Sequence, residues 1–199
     1  MGRHSTVIEF LGARCDWKLP RQDQGWDFGW VGGWRCQRVT YLEMIRPYTD
    51  RDLSEVLDVW YRASLIAHSF LSEDFFETER RQIAEHWLPM ADTIVFETDG
   101  RVRGFLSLIG NEVGAIFVDP DYQGRGIGRA LMDLARDSRP LLELDVFEAN
   151  AIGSRFYDAY GFEFVDRHLN EATGQPELRL SFDPNRRHES RDSHGPSGG

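Results

Sequence analysis

The run Gly114-Ala115-Ile116-Phe117-Val118-Asp119-Pro120-Asp121-Tyr122-Gln123-Gly124-Arg125-Gly126-Ile127-Gly128-Arg129-Ala130-Leu131 decides how the rest of the chain is read. Ile116, Phe117 and Val118 end an apolar strand, Asp119-Pro120 marks a turn, and three alternate glycines open an amphipathic helix. That order builds an anion site. The first amides of a helix have no intrahelical acceptor and point outward, and the aligned peptide dipoles place about half a positive charge there. Gly124, Gly126 and Gly128 carry no Cβ, so a phosphate can approach the backbone closely. Arg125 and Arg129 add formal charge on either side.

The type of phosphate site is narrowed by near misses. A P-loop ends in Gly-Lys-Ser/Thr, and neither that lysine nor that hydroxyl is present. The dinucleotide fingerprint G-x-G-x-x-G fails in both frames, because its last position falls on Arg129 or on Leu131. What fits is Q/R-x-x-G-x-G/A, read as Gln123-Gly124-Arg125-Gly126-Ile127-Gly128. A second segment follows one helix and one strand later: Phe147-Glu148-Ala149-Asn150-Ala151-Ile152-Gly153-Ser154-Arg155-Phe156-Tyr157-Asp158-Ala159-Tyr160-Gly161-Phe162. It has an Asn opening a helix and Phe-Tyr-x-x-x-Gly-Phe closing it.

With both motifs, in order, the chain resembles the GCN5-related N-acetyltransferase superfamily over about residues 44–182. The resemblance implies acetyl-CoA as acyl donor and no metal. Its pyrophosphate would lie on the loop of Gln123, Gly124, Arg125, Gly126, Ile127, Gly128, Arg129 and Ala130. The pantetheine arm would lie along the backbone of Ile116, Phe117 and Val118 and touch Asn150. The strand before the loop and the strand before the second motif should splay into a V. Asn150 is also a good N-cap, and Gln123 is expected to brace the loop.

The resemblance makes Tyr157 the general acid toward the departing thiolate. A phenol near pKa ~10 stays protonated at neutral pH and can donate. Tyr160, one turn later, matches no catalytic position and is expected to be structural. A lysine-like acceptor near pKa ~10.4 costs roughly 4.6 kcal/mol to make neutral at pH 7, so a base has value. Asp145, on the strand beside the V, and His68, in the loop that walls the acceptor site in relatives, are the candidates. Glu112 and Glu148 stand nearby in sequence, whereas His86 and His168 read as surface or packing residues. Direct transfer in a ternary complex is expected, because residues 44–182 contain no cysteine to carry an acyl group. The alternative on the same fold is a non-catalytic acyl-CoA sensor acting through a protein partner.

Composition sets outer bounds. The 199 residues carry 23 Lys and Arg against 33 Asp and Glu. With 6 and 5 of these in residues 1–43 and three of each in residues 183–199, residues 44–182 hold 14 basic and 25 acidic side chains, a net −11. So acidic a domain is a poor holder of nucleic acid and suits a cationic acceptor, a small amine or a peptide or protein amine. Cys15 and Cys36 form no zinc spacing or disulfide framework. No apolar run has membrane-spanning length and no secretory signal opens the chain, so no membrane partner and a cytoplasmic location are expected, as monomer or homodimer.

The pattern from Met44 is an α/β sandwich: a mixed, mostly antiparallel sheet with helices on both faces. Strands are expected at 44–48, 93–97, 102–108, 113–118, 141–146, 162–167 and 177–182. Helices are expected after Thr49, from Ser72 to Trp87 with a stop at Pro89, from Gly126 to Asp137, and from Asn150. Residues 1–43 hold four of the six tryptophans without a sustained period. Relatives begin with a strand like Met44-Ile45-Arg46-Pro47-Tyr48, so residues 1–43 are expected to be an extension upstream of a native start at Met44. The rival is an aromatic arm over the acceptor cleft. Residues 183–199, lacking aliphatic and aromatic side chains, are expected to be a disordered tail.

Overall fold

The computed structural model describes residues 44–183. The expectations for residues 1–43, including both cysteines and the tryptophan-rich stretch, and for the tail beyond Asp183 lie outside them. Seven strands form one sheet: β1 (Ile45–Pro47), β2 (Asp92–Thr98), β3 (Arg101–Ile109), β4 (Glu112–Val118), β5 (Leu142–Phe147), β6 (Glu163–Leu169) and β7 (Pro176–Phe182). Their order is β1-β2-β3-β4-β5-β7-β6. Every pairing is antiparallel except β4 with β5. The helices are α1 (Leu53–Ala67), α2 (Glu73–Gln82), α3 (Ile127–Ser138) and α4 (Ala151–Tyr160). No helix among the described residues is long and apolar enough to cross a membrane.

Alternation in the central strands divides the core. Val95 and Phe105 pack with Val56, Val59 and Trp60 of α1 and Phe76 of α2. Their neighbours Phe96 and Leu106 pack with Ile127, Leu131, Met132 and Ala135 of α3 on the opposite face. The hairpin between β2 and β3 turns through Asp99 and Gly100, both at positive φ (54° and 71°), as a two-residue turn of matching twist requires.

The one parallel contact makes the site. β4 and β5 pair only at Glu112 and Glu143, and the Glu143 amide donates to Asn111 O at 3.0 Å. Beyond that pivot the strands diverge, as the resemblance implied, and the remainder of β4 has β3 on one edge only. A strand edge without a neighbour presents backbone donors and acceptors to whatever enters the gap.

One element differs from its sequence reading. The helix expected to stop before Pro89 continues instead: α2 passes into a π turn at Ile83–Trp87 and a last turn at Leu88–Met90 that contains Pro89. Proline lacks the N–H that an α turn would use and crowds the carbonyl four residues back. A wider turn beneath it accommodates both.

Candidate active site

The glycine loop is shaped by its backbone. Gly124 and Gly126 lie at φ 73° and 87°, which side-chain-bearing residues adopt only with strain. Gly126 is the left-handed N-cap of α3, and the first α-type amide bond of that helix runs from Ala130 to Gly126 O at 3.0 Å. The amides of Ile127, Gly128 and Arg129 precede it and face the anion side. A Cβ on Gly128 would stand 3.4 Å from the Phe156 ring, so glycine here lets α3 approach α4. Ile127 itself is core, 2 % exposed, and contributes backbone to the loop. Gln123 Nε2 donates to Val118 O at 3.1 Å, bracing the loop on β4.

Beneath the loop lies an ionic platform. Asp119, 1 % exposed, accepts from Arg62 of α1 at 2.9 Å and from Arg103 of β3 at 3.0 Å, and caps the turn Pro120–Tyr122 through the Asp121 amide at 3.1 Å. The guanidinium carbons of Arg103 and Arg125 lie 4.4 and 4.7 Å from the Tyr122 ring centroid. Arg129 lies over Tyr160 at 5.4 Å. Arg62, Arg103, Arg125 and Arg129 thus stand around this end of the cavity. The positive φ values, the ordered amides and this charge fit a pyrophosphate.

A cavity of about 1010 Å³ joins this loop to the V. Its walls include Ile116, Phe117, Val118, Gln123, Gly124, Gly126, Ile127, Gly128, Arg129, Asn150, Tyr157, Asp145 and His68. Arg125 and Ala130 are loop residues outside that wall, and the Arg125 guanidinium donates to Asp121 O at 2.9 Å.

Tyr157 is placed by the end of its helix. The amides of Gly161 and Phe162 both donate to Tyr157 O, at 2.9 and 3.0 Å, and Gly161 turns the chain at φ 109°. This left-handed cap explains the glycine four residues after the tyrosine. The Tyr157 ring packs edge-on to Phe156 and Phe162, with centroids 5.4 and 5.5 Å apart. Burial pushes the phenol well above its ordinary range, so it holds its proton. Tyr160, expected to be structural, is 4 % exposed and its hydroxyl donates to Asp133 at 2.9 Å.

His68 and Asn150 meet across 82 positions of sequence, His68 Nε2 lying 3.1 Å from Asn150 Nδ2. Asn150 Oδ1 accepts from Gly153 N at 2.9 Å as the N-cap of α4. The amide NH₂ therefore faces the imidazole, Nε2 accepts, and the ring proton sits on Nδ1. Phe70, Phe117 and Phe147 stand edge-on around the ring at 5.4 to 6.3 Å from Phe147 outward to Phe117. Desolvation lowers its pKa from 6.5 to about 4. The unfolded chain thus takes this proton first, and the native state loses stability as pH falls from about 6.5 toward 4. The measurement is an NMR titration of the His68 ring: a midpoint near 4 is expected, and one at the ordinary value would contradict the buried contact.

Asp145 belongs to a clamp that the sequence did not disclose. Arg179 of β7 donates to both Glu112 oxygens at 2.6 Å and to Asp145 at 3.0 Å, and stands 3.5 Å from Glu143. One guanidinium thus staples β4, β5 and β7 at the base of the V. His168 Nε2 lies 3.8 Å from Asp145 and 3.5 Å from Glu177, so it faces the carboxylates of this clamp. Glu148 pairs with Arg167 at 2.7 Å, and His86 is exposed. Among the described residues no group of three or more His, Cys, Asp or Glu is arranged to hold a metal ion.

Comparison with known proteins agrees with this geometry. Residues 89–164 match the model of the acetyltransferase (GNAT) domain. The chain is 31% identical over 140 residues to the peptidyl-lysine N-acetyltransferase YiaC of Escherichia coli K12, spanning 70% of this chain and 96% of that protein. It is 34% identical over 134 residues to the peptidyl-lysine N-acetyltransferase YjaB of the same strain, spanning 66% and 90%. The solution structure of apo YjaB from E. coli superposes with a TM-score of 0.63 at 29% identity, covering 69% of this chain and 95% of that one.

Proposed function

The chain belongs to the GCN5-related N-acetyltransferase family and acetylates an amine with acetyl-CoA; from that premise we propose that its acceptor is the ε-amine of a lysine in a peptide or protein, acetylated by direct transfer. The cavity that joins the glycine loop, the open edge of β4, Tyr157 and Asp145 in one space carries the reading.

The amides of the α3 N-terminus, with Arg125 and Arg129, hold the donor's pyrophosphate. Backbone groups of Ile116, Phe117 and Val118 align its arm as an added strand would be aligned. Acetyl-CoA supplies the acyl carbonyl and a thiolate leaving group. Asp145 takes the ammonium proton of the acceptor through water, and the amine lone pair is then free to attack. As the C–S bond breaks, Tyr157 gives its phenolic proton to the departing sulfur, and the second proton of the acceptor nitrogen restores the phenol. His68, its Nε2 committed to Asn150, acts as a positioning residue that holds α1 to the N-terminus of α4.

The test offers acetyl-CoA and a panel of lysine peptides, free amines and peptides with only an α-amine. Thiol release is followed together with the acetyl mass increment on the acceptor. Lysine peptides are expected to turn over fastest. Turnover confined to small amines would replace the acceptor class. Acetyl-CoA binding without turnover on any amine would turn the reading toward a sensor.

A further inference from the structure

The cavity extends past the reaction centre to a wall that no catalytic role has used. Phe75, Glu79, Ile83 and Trp87 all face it from α2 and its π turn. They are spaced by four residues, so on a regular α-helix the stripe would drift about 40° at each step. The wider turn at Ile83–Trp87 offsets that drift, and Trp87 lines the same cavity as Glu79. Helical side chains lean toward the N-terminus, so the indole reaches back to that carboxylate. The Trp87 side chain stands close enough to favour the charged carboxylate, against the larger effect of burial.

Glu79 is the one charged member of an otherwise apolar stripe, where the pattern calls for a hydrophobe. Across the cavity stand Trp60 of α1 and Phe105 of β3. Among the described residues no arginine, lysine or histidine stands within ion-pair distance of Glu79, whereas Glu112, Asp145 and Glu177 all have cationic or histidine neighbours. Burial pushes its carboxyl above the ordinary range. A partly buried carboxylate beside one neutral donor and flanked by apolar side chains is complementary to an alkyl chain ending in an ammonium group.

We propose that Glu79, oriented by Trp87, is the subsite that receives the acceptor's ammonium group and selects alkylammonium acceptors of the lysine type. The stem lies against Phe75, Ile83 and Trp87 while the head meets the Glu79 carboxylate. This rests on the reading of the same cavity as the acetyl-transfer site. The acceptor nitrogen is cationic when bound and becomes cationic again as it attacks the carbonyl, so the contact is kept alike in both states and acts on acceptor binding more than on turnover.

Steady-state kinetics of Glu79→Gln with a lysine peptide test it, alongside Glu79→Asp and the unchanged protein. Glu79→Gln is expected to raise KM for the peptide on the order of ten- to a hundredfold. The KM for acetyl-CoA, the thermal midpoint and kcat at saturating peptide should stay close to those of the unchanged protein. Glu79→Asp, which keeps the charge, should recover part of the peptide KM. An unchanged peptide KM in Glu79→Gln would overturn the subsite alone. Absence of lysine-peptide turnover by the unchanged protein would overturn both the subsite and the proposed acceptor class.

Discussion

Replacing Tyr157 by Phe is expected to lower kcat by about two to three orders of magnitude while KM for acetyl-CoA stays within about twofold. The substitution removes one oxygen and leaves the ring among Phe156 and Phe162. The backbone anchor is untouched, because the Gly161 and Phe162 amides bond to the carbonyl and not to the side chain. What is lost is a proton donor whose own ionisation is suppressed by burial. The sign follows: a phenol pushed upward stays protonated through the neutral and mildly alkaline range, so the unchanged enzyme should show no loss of rate from this group near pH 10. In the variant, leaving-group expulsion must draw on solvent. Pre-steady-state thiol release measures that step directly. Full turnover in Tyr157→Phe, with unchanged acetyl-CoA binding, would remove the tyrosine from the chemistry.

How much of this site the sequence discloses depends on whether each constraint is local. The glycine loop and the cap after Tyr157 were legible because Gly124 and Gly126, and likewise Gly161, answer to backbone conformations that the neighbouring residues impose. Asn150 was legible as a cap for the same reason. The V was not contained in any local pattern. It follows from β4 and β5 sharing one paired position, Glu112 with Glu143, and was reached only through the resemblance. The Arg179 clamp joins residues 34 and 67 positions apart, and the contact of His68 with Asn150 spans 82. Register and long-range docking decide such pairs, so Asp145 and His68 looked like independent bases in the chain. The Arg179 partner of Asp145 and the Asn150 partner of His68 come into view only in the fold. Glu79 was invisible for a different reason: on a helical wheel it is a flaw in an apolar stripe, and the π turn that gives it a role has no signal beyond Pro89.

Asp119→Asn is the substitution expected to weaken the fold most among the polar residues of the site. Asp119 is 1 % exposed and is, among the described residues, the only carboxylate within bonding distance of Arg103, whose Nε is buried without a partner. The amide is nearly isosteric, so packing is preserved, but its NH₂ would replace an acceptor with a donor facing either Arg103 or Arg62. Arg62 retains Asp121 at 2.8 Å and partial access to water, and that softens its share. Arg103, with its side chain 19% exposed, has less water and no second carboxylate partner among the described residues, so its charge would rest mainly on the Tyr122 face. Breaking a buried ionic pair on one side costs roughly 3–5 kcal/mol. The partial exposure of Arg62 puts the expected loss near the lower end, about 3 kcal/mol in unfolding free energy by urea titration. The same residue caps the turn Pro120–Tyr122 that feeds the glycine loop, so acetyl-CoA affinity should fall together with stability. Saturating acetyl-CoA should then restore part of the midpoint, because a ligand that binds only the folded chain shifts the equilibrium by mass action. A variant with unchanged urea midpoint and unchanged acetyl-CoA affinity would mean that Arg62 and Arg103 hold the loop without the charge between them.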